Sequence, residues 1–102
     1  MKVKEIVLLK EAAEDLENGE SFYNNREPGV GKYFWDSLIS DIESLIILAG
    51  IHPIKHGLFQ MLSKRFPYSN YYEIADSVAY VIAVLPMRKN PSWIIDSLNQ
   101  RL

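Results

Sequence analysis

Two pairs of adjacent cations stand out in the second half of the chain, Lys64-Arg65 and Arg88-Lys89, with His52 and His56 not far upstream. Cations close to a phosphate, with an imidazole or phenol to shuttle protons, are what cleavage of an RNA backbone requires. On that chemistry Lys64, Arg65, Arg88 and His56 are the candidate catalytic groups. The same residues also suit recognition. Tyr68, Tyr71, Tyr72, Tyr80 and Trp93 share their half of the chain, and aromatic residues with Arg are the usual anchors of protein interfaces. On that reading Arg65, Tyr71, Arg88, Lys89 and Trp93 face a partner, while Tyr72 and Tyr80 belong to the sheet core. Other chemistries find no support. The absence of cysteine removes disulfides, iron–sulfur clusters, thiolate zinc sites and cysteine nucleophiles. His52 and His56 have i,i+4 spacing, but Pro53 between them argues against a helix there, so no metal site is expected. Gly29-Val30-Gly31 lacks the third glycine and the preceding strand of a dinucleotide loop, and no cofactor is expected.

Charge is distributed unevenly. Eleven Lys and Arg against thirteen Asp and Glu give a net −2. Residues 1–50 hold five basic and ten acidic groups, for −5, and residues 51–102 hold six basic and three acidic, for +3. An anionic partner should meet the second half, and binding to a polyphosphate is disfavoured by the total.

The elements that must position these residues follow from periodicity. Val3 to Leu9 reads as a strand, apolar on both alternation sets. Ala12, Leu16, Gly19 and Tyr23 mark one face of a helix, with acidic residues crowding its start. Gly19 inside it suggests close approach to a neighbour. Pro28 to Gly31 breaks the chain. A second helix is expected from about Lys32 to Ala49, with Phe34, Leu38, Ile42, Leu45 and Ala49 as its apolar stripe and Gly50 as a left-handed cap. Phe59 to Lys64, Tyr68 to Ala75 and Val78 to Leu85 read as three strands of an antiparallel meander, the last two joined through Asp76-Ser77. Asn90 and Pro91 open a final short helix lined by Ile94, Leu98 and Leu102. The order β-α-α-β-β-β-α over residues 1–102 describes one α+β domain, a small antiparallel sheet packed on a helical hairpin. No apolar run is long enough for a transmembrane helix and no secretory signal is visible, so a cytoplasmic protein without membrane contact is expected.

With this order in place, the chain resembles the ParE/RelE toxin superfamily, and within it the ParE-like plasmid stabilisation proteins. Arg65-Phe66-Pro67-Tyr68, Tyr72, Val81 to Leu85, Arg88, Pro91 and Trp93 match its strand motifs. Ala12, Ala13, Asp15-Leu16, Tyr23 and Gly29-Val30-Gly31 with Phe34 match its helical hairpin. The resemblance implies the toxin of a two-component toxin–antitoxin module, held inactive by a cognate antitoxin. ParE-like members bind and inhibit DNA gyrase, and RelE-like members cleave mRNA on the ribosome. The chain departs from the pattern at Leu58 to Met61, where members commonly carry an Arg, and at Pro86, where many have a His. Both departures count against catalysis, as does the acidic total, and the gyrase-binding branch is favoured over an enzyme. A degenerate member that binds antitoxin without toxicity is a third reading. Direct DNA binding is not expected without the antitoxin, and a homodimer is left open.

One hairpin of helices covers one face of a sheet. The opposite face, apolar in both edge and central strands, is therefore expected to carry an open apolar groove for the antitoxin.

Overall fold

The computed structural model describes residues 2–102. In chain order the elements are β1 (Glu5–Leu8), α1 (Lys10–Arg26), α2 (Val30–Glu43), the single turn α3 (Leu45–Leu48), β2 (Ile54–Lys55), β3 (Leu58–Leu62), β4 (Tyr68–Ala75), β5 (Val78–Pro86) and α4 (Pro91–Asn99). The sheet order is β1-β5-β4-β3-β2. Strands β2 to β5 form the expected antiparallel meander, and β1 adds to β5 in parallel, so the sheet is mixed. Connectivity permits the parallel pair: α1 to α3 and the other strands lie between β1 and β5, and parallel strands need such a long crossover.

The β4–β5 hairpin turns through Asp76 and Ser77, as their sequence suggests, with φ of 51° and 64°. Two consecutive positive φ values match the type I′ turn, whose twist suits a hairpin. The same device makes β2, which periodicity does not reveal. His56 and Gly57, at φ 57° and 81°, fold Ile54–Lys55 back on Leu58–Phe59. The expected strand Phe59 to Lys64 accordingly starts and ends earlier, at Leu58 and Leu62.

The expected helix through Ala49 is interrupted at Ser44. Its hydroxyl bonds back to the Asp41 carbonyl at 2.5 Å, and its N–H is shared between the Ser40 and Asp41 carbonyls. Such local bonding competes with the regular helical ladder. The stripe nevertheless survives the break. Phe34, Leu38, Ile42, Leu45 and Ala49 are all buried, against Ala12 and Leu16 of α1 and against Met61, Tyr68, Tyr72, Val81 and Val84 of the sheet.

The Phe66-Pro67-Tyr68 motif ties the two layers together. Phe66 leaves the sheet and inserts its ring among Tyr23, Tyr33 and Phe34, with centroids at 4.8, 5.4 and 5.1 Å. Tyr68 meets Phe34 edge-on at 4.9 Å. The Asp41 carboxylate, buried in α2, accepts the Lys64 backbone N–H at 3.1 Å and fixes the start of this loop. Gly19 is where α1 yields to the cluster. A Cβ there would stand 2.4 Å from Cζ of the buried Phe34 ring.

The far face of the sheet is not the open groove expected of it. Helix α4 crosses it and buries Leu98, with Ile94 beside it, on Leu58, Tyr71, Ile82, Ala83 and Leu85. Two sequence expectations fail there. Tyr71 is 1% exposed and cannot anchor a partner. Leu102, expected on the helix face, lies past the helix end and is exposed. Exposed apolar surface gathers instead on α3 and the segment after it, at Ile46, Ile47, Leu48, Ile51 and Ile54.

The aromatic packing dictates the outcome of a simple substitution. Helix propensity alone favours Gly19→Ala by roughly 1 kcal/mol. The overlap with Phe34 should reverse the sign, and we expect a loss of about 1–3 kcal/mol in urea denaturation. Leu38→Ala, at the centre of the stripe, should cost about 2–5 kcal/mol in the same measurement.

Candidate functional site

Helix α1 uses two faces. Ala12, Leu16 and Gly19 point into the core. Asp15, Asn18, Gly19 and Phe22, at intervals of three, one and three, line a groove of about 380 Å³ on the adjoining face. The opposite wall is the α4 side, with Lys89, Trp93 and Arg101, and the floor is Tyr68, Val84, Leu85 and Pro86, with Arg88 at the strand's end.

The closed end of the groove is built by a side-chain pair. Strand β1 stops at Leu8, opposite Val81, and beyond that point the outer edge of β5 has no neighbouring strand. A bulge near Ile82 shifts the register at this point, between the pairs Tyr71–Ala83 and Tyr72–Val81. The Asp15 carboxylate accepts the Val84 N–H at 2.9 Å. Arg101 donates to the Ile82 carbonyl at 3.3 Å and grips both Asp15 oxygens, at 2.5 and 2.9 Å. Both side chains are largely buried. This bidentate geometry is the strong form of an ion pair, and the hydrogen bonds that Arg101 donates to Asp15, with the carboxylate's charge, raise the Arg101 pKa despite burial.

The open end is cationic. Arg88 lies over the Phe22 ring at 4.2 Å from its centroid, and Arg26 lies over the same ring at 4.4 Å. Lys89 stands 5.1 Å from the Trp93 ring, which is 39% exposed. Burial pushes the Tyr68 phenol up, and the neighbouring Arg88 partly offsets this. Trp93 is presented by the first turn of α4. Pro91 starts that helix and Asn90 caps it, its Oδ1 accepting the Trp93 N–H at 2.8 Å.

The structure thus divides the residues singled out from the sequence. Arg88, Lys89 and Trp93 share the groove. Lys64 and Arg65 are exposed on the loop before β4 and line none of it, so the two cation pairs do not form one site. The aromatic insertion of Phe66 sets that loop's path. Tyr71 lies beneath α4. His56 is exposed at the β2–β3 turn and lines a smaller pocket with Lys55, Gln60, Ser69 and Lys89. His52 is a brace: its Nδ1 meets the Tyr72 hydroxyl at 2.5 Å, and that hydroxyl accepts the Gly50 N–H at 2.9 Å. Burial lowers the His52 pKa, which favours the neutral ring. Among the described residues no three His, Asp or Glu side chains gather as metal ligands.

Sequence reasoning missed Asp15, Asn18, Phe22, Arg26 and Arg101. The signal was available in part: residues 15, 18, 22 and 26 fall on one side of a helical wheel. The acidic start of α1 reads as a macrodipole effect, which hides the one carboxylate with a buried partner.

Comparison with known proteins adds the fold. A chain of the chromosomal ParDE TA system from P. aeruginosa superposes with a TM-score of 0.75 at 15% sequence identity, over 82% of this chain and 96% of that one. This chain has a ParE-like fold. No family model matches the sequence, and no curated protein does either. Among the described residues no helix is long and apolar enough to cross a membrane.

Two expectations follow. Asp15→Ala leaves Arg101 buried without its partner and should cost about 3 kcal/mol. The double variant with Arg101→Ala should cost less than the two single losses added, in a double-mutant cycle by denaturant titration. For His52, the folded-state pKa lies below the ordinary value near 6.5, so the unfolded chain takes up its proton first as pH falls. The His52 contribution to stability is constant above about pH 6.5 and is lost as pH drops from there through the lower folded value. His52→Gln should therefore lose less stability than wild type between pH 7 and 5, compared by urea midpoint.

Proposed function

We propose that this chain is the toxin of a type II toxin–antitoxin module, ParE-like, which binds DNA gyrase and is neutralised by a cognate antitoxin in the cytoplasm. The observation that carries the reading is the groove between α1 and α4. Its cations, Arg88 and Lys89, and its exposed Trp93 are the residue types that anchor protein interfaces. The shared fold with the ParDE chain supports the same assignment. The chemistry around the histidines favours binding over RNA cleavage. His52 is committed to Tyr72, and Lys64 and Arg65 stand apart from Arg88 and Lys89. A phosphate held by one pair would lack the other.

The ribonuclease reading keeps one specific support, the pocket where His56, Lys55 and Lys89 meet. Inducible expression without an antitoxin separates the two. Gyrase inhibition gives filamentous arrest with a DNA-damage response, and RNA cleavage gives rapid translation arrest with cuts at codon boundaries. We expect filamentation, its loss in Arg88→Ala, and its retention in His56→Ala. Loss of toxicity in His56→Ala with cleaved mRNA in the wild type would instead establish the ribonuclease.

A further inference from the structure

A second cavity, of about 260 Å³, opens between the first turn of α4 and the β2–β3 hairpin. Its polar floor comes from two facing strands. Gln60 of β3 stands opposite Tyr71 of β4, and Ser69 lies two residues back on the same face of β4. Both hydroxyls belong to buried residues, Ser69 at 3% and Tyr71 at 1% exposure. Gln60 Nε2 donates to each, at 2.9 and 3.4 Å, so both hydroxyls accept here and keep their own protons to give. Among the described residues neither proton finds an acceptor. A buried donor left in that state is costly, and two of them lining one cavity point to an anion that would satisfy both.

The rim is cationic. Lys55 pairs with Leu58 and so shares the face that α4 covers, and Lys89 follows the end of β5. Among the described residues the ion pairs are Lys32–Asp36 and Arg101–Asp15, and no Asp or Glu lines the cavity, so neither lysine has a carboxylate there. Pro91 at the start of α4 brings the positive end of that helix to the same rim. The remaining wall, formed by Met87 and Ile94, is apolar.

We propose that this cavity binds a small phosphate monoester, its phosphate on Lys55, Lys89 and the Ser69 and Tyr71 hydroxyls, and its organic group against Met87 and Ile94. The charge count selects the anion. A phosphate monoester carries about −1.5 to −2 charges at neutral pH and three strong acceptor oxygens, which match two lysines and two hydroxyl donors. A carboxylate would leave one lysine unpaired. Size selects the rest. Drug-sized ligands occupy about 300–1,000 Å³, so 260 Å³ suits a more compact molecule. A nucleic-acid strand would carry its further phosphates out of the cavity, onto a chain of net charge −2. The site binds without making or breaking a bond, and it stands independently of the toxin reading.

The test uses the full chain at low ionic strength, with phenyl phosphate as the probe and benzoate and inorganic phosphate as comparisons. Binding is followed by the Gln60 side-chain amide resonances. We expect saturable shifts with phenyl phosphate. Benzoate, which lacks a charge, and inorganic phosphate, which lacks the apolar body, should each bind about fivefold more weakly. Lys55→Gln and Lys89→Gln should each weaken phenyl phosphate about fivefold. Tyr71→Phe keeps the ring, removes only the hydroxyl and should weaken it about threefold. Met87→Ala should weaken phenyl phosphate but not inorganic phosphate, and Lys64→Gln, outside the cavity, should change neither. Thermal melts confirm that each variant is folded. The absence of saturable shifts, benzoate binding as tightly as phenyl phosphate, full affinity in Lys55→Gln and Tyr71→Phe, or tighter binding of a short RNA without a terminal phosphate would each overturn the proposal. None of these readouts involves growth arrest, so this site and the toxin reading stand or fall separately.

Discussion

A strand that outruns its neighbour must find partners for its bare edge, because an unpaired buried peptide group costs about as much as a lost hydrogen bond. Here β1 ends opposite Val81 while β5 continues to Pro86. Asp15 and Arg101 supply the missing partners at Val84 and Ile82. Their demand for each other, across a sequence separation of 86, fixes α1 and the chain beyond α4 against one stretch of β5. The groove exists because of that arrangement: its walls are the two elements the pair brings together, and its floor is the strand whose edge the pair completes.

The other layer contact is aromatic rather than ionic. Phe66, Tyr68, Phe34 and Tyr23 interlock where the hairpin of helices meets the sheet, and Gly19 has no side chain because Phe34 occupies that space. Helix α1 thus turns small residues inward and polar ones toward the groove, with Phe22 between them. The two regions are mechanically continuous. A shift of α1 that relieved crowding at Gly19 would also move Phe22, and with it the placement of Arg26 and Arg88.

Much of this was legible in sequence wherever a period of two or 3.6 governs the residues. The stripe of Phe34 to Ala49, the Asp76-Ser77 turn and the Asn90-Pro91 helix start are of that kind. The Phe66-Pro67-Tyr68 motif pointed to the right fold, although its physical role, inserting a ring between layers, needs coordinates. What periodicity cannot give is pairing across long separations. It therefore missed the parallel placement of β1, the bidentate link from Asp15 to Arg101, and the cover that α4 lays over Tyr71. Two-residue β2 is too short to show alternation at all. Of the site, Arg88, Lys89 and Trp93 were found because cations and aromatics cluster near one strand's end. Arg65 does not join them in the groove, because adjacency in sequence to a strand end says nothing about which way its loop is pulled.

The parallel edge strand also sets an order of events during synthesis. Glu5 to Leu8 pair with Val78 to Val81 and with no strand made earlier. Asp15 waits for a residue 86 positions later. At about 5–20 residues per second, that interval is roughly 4–17 s. For most of it the helical hairpin has no complete sheet to cover, and the acidic face of α1 has neither Arg101 nor Arg88 near it. The groove is thus among the last features to form, and a partner that depends on it recognises only chains whose long-range pairing is finished.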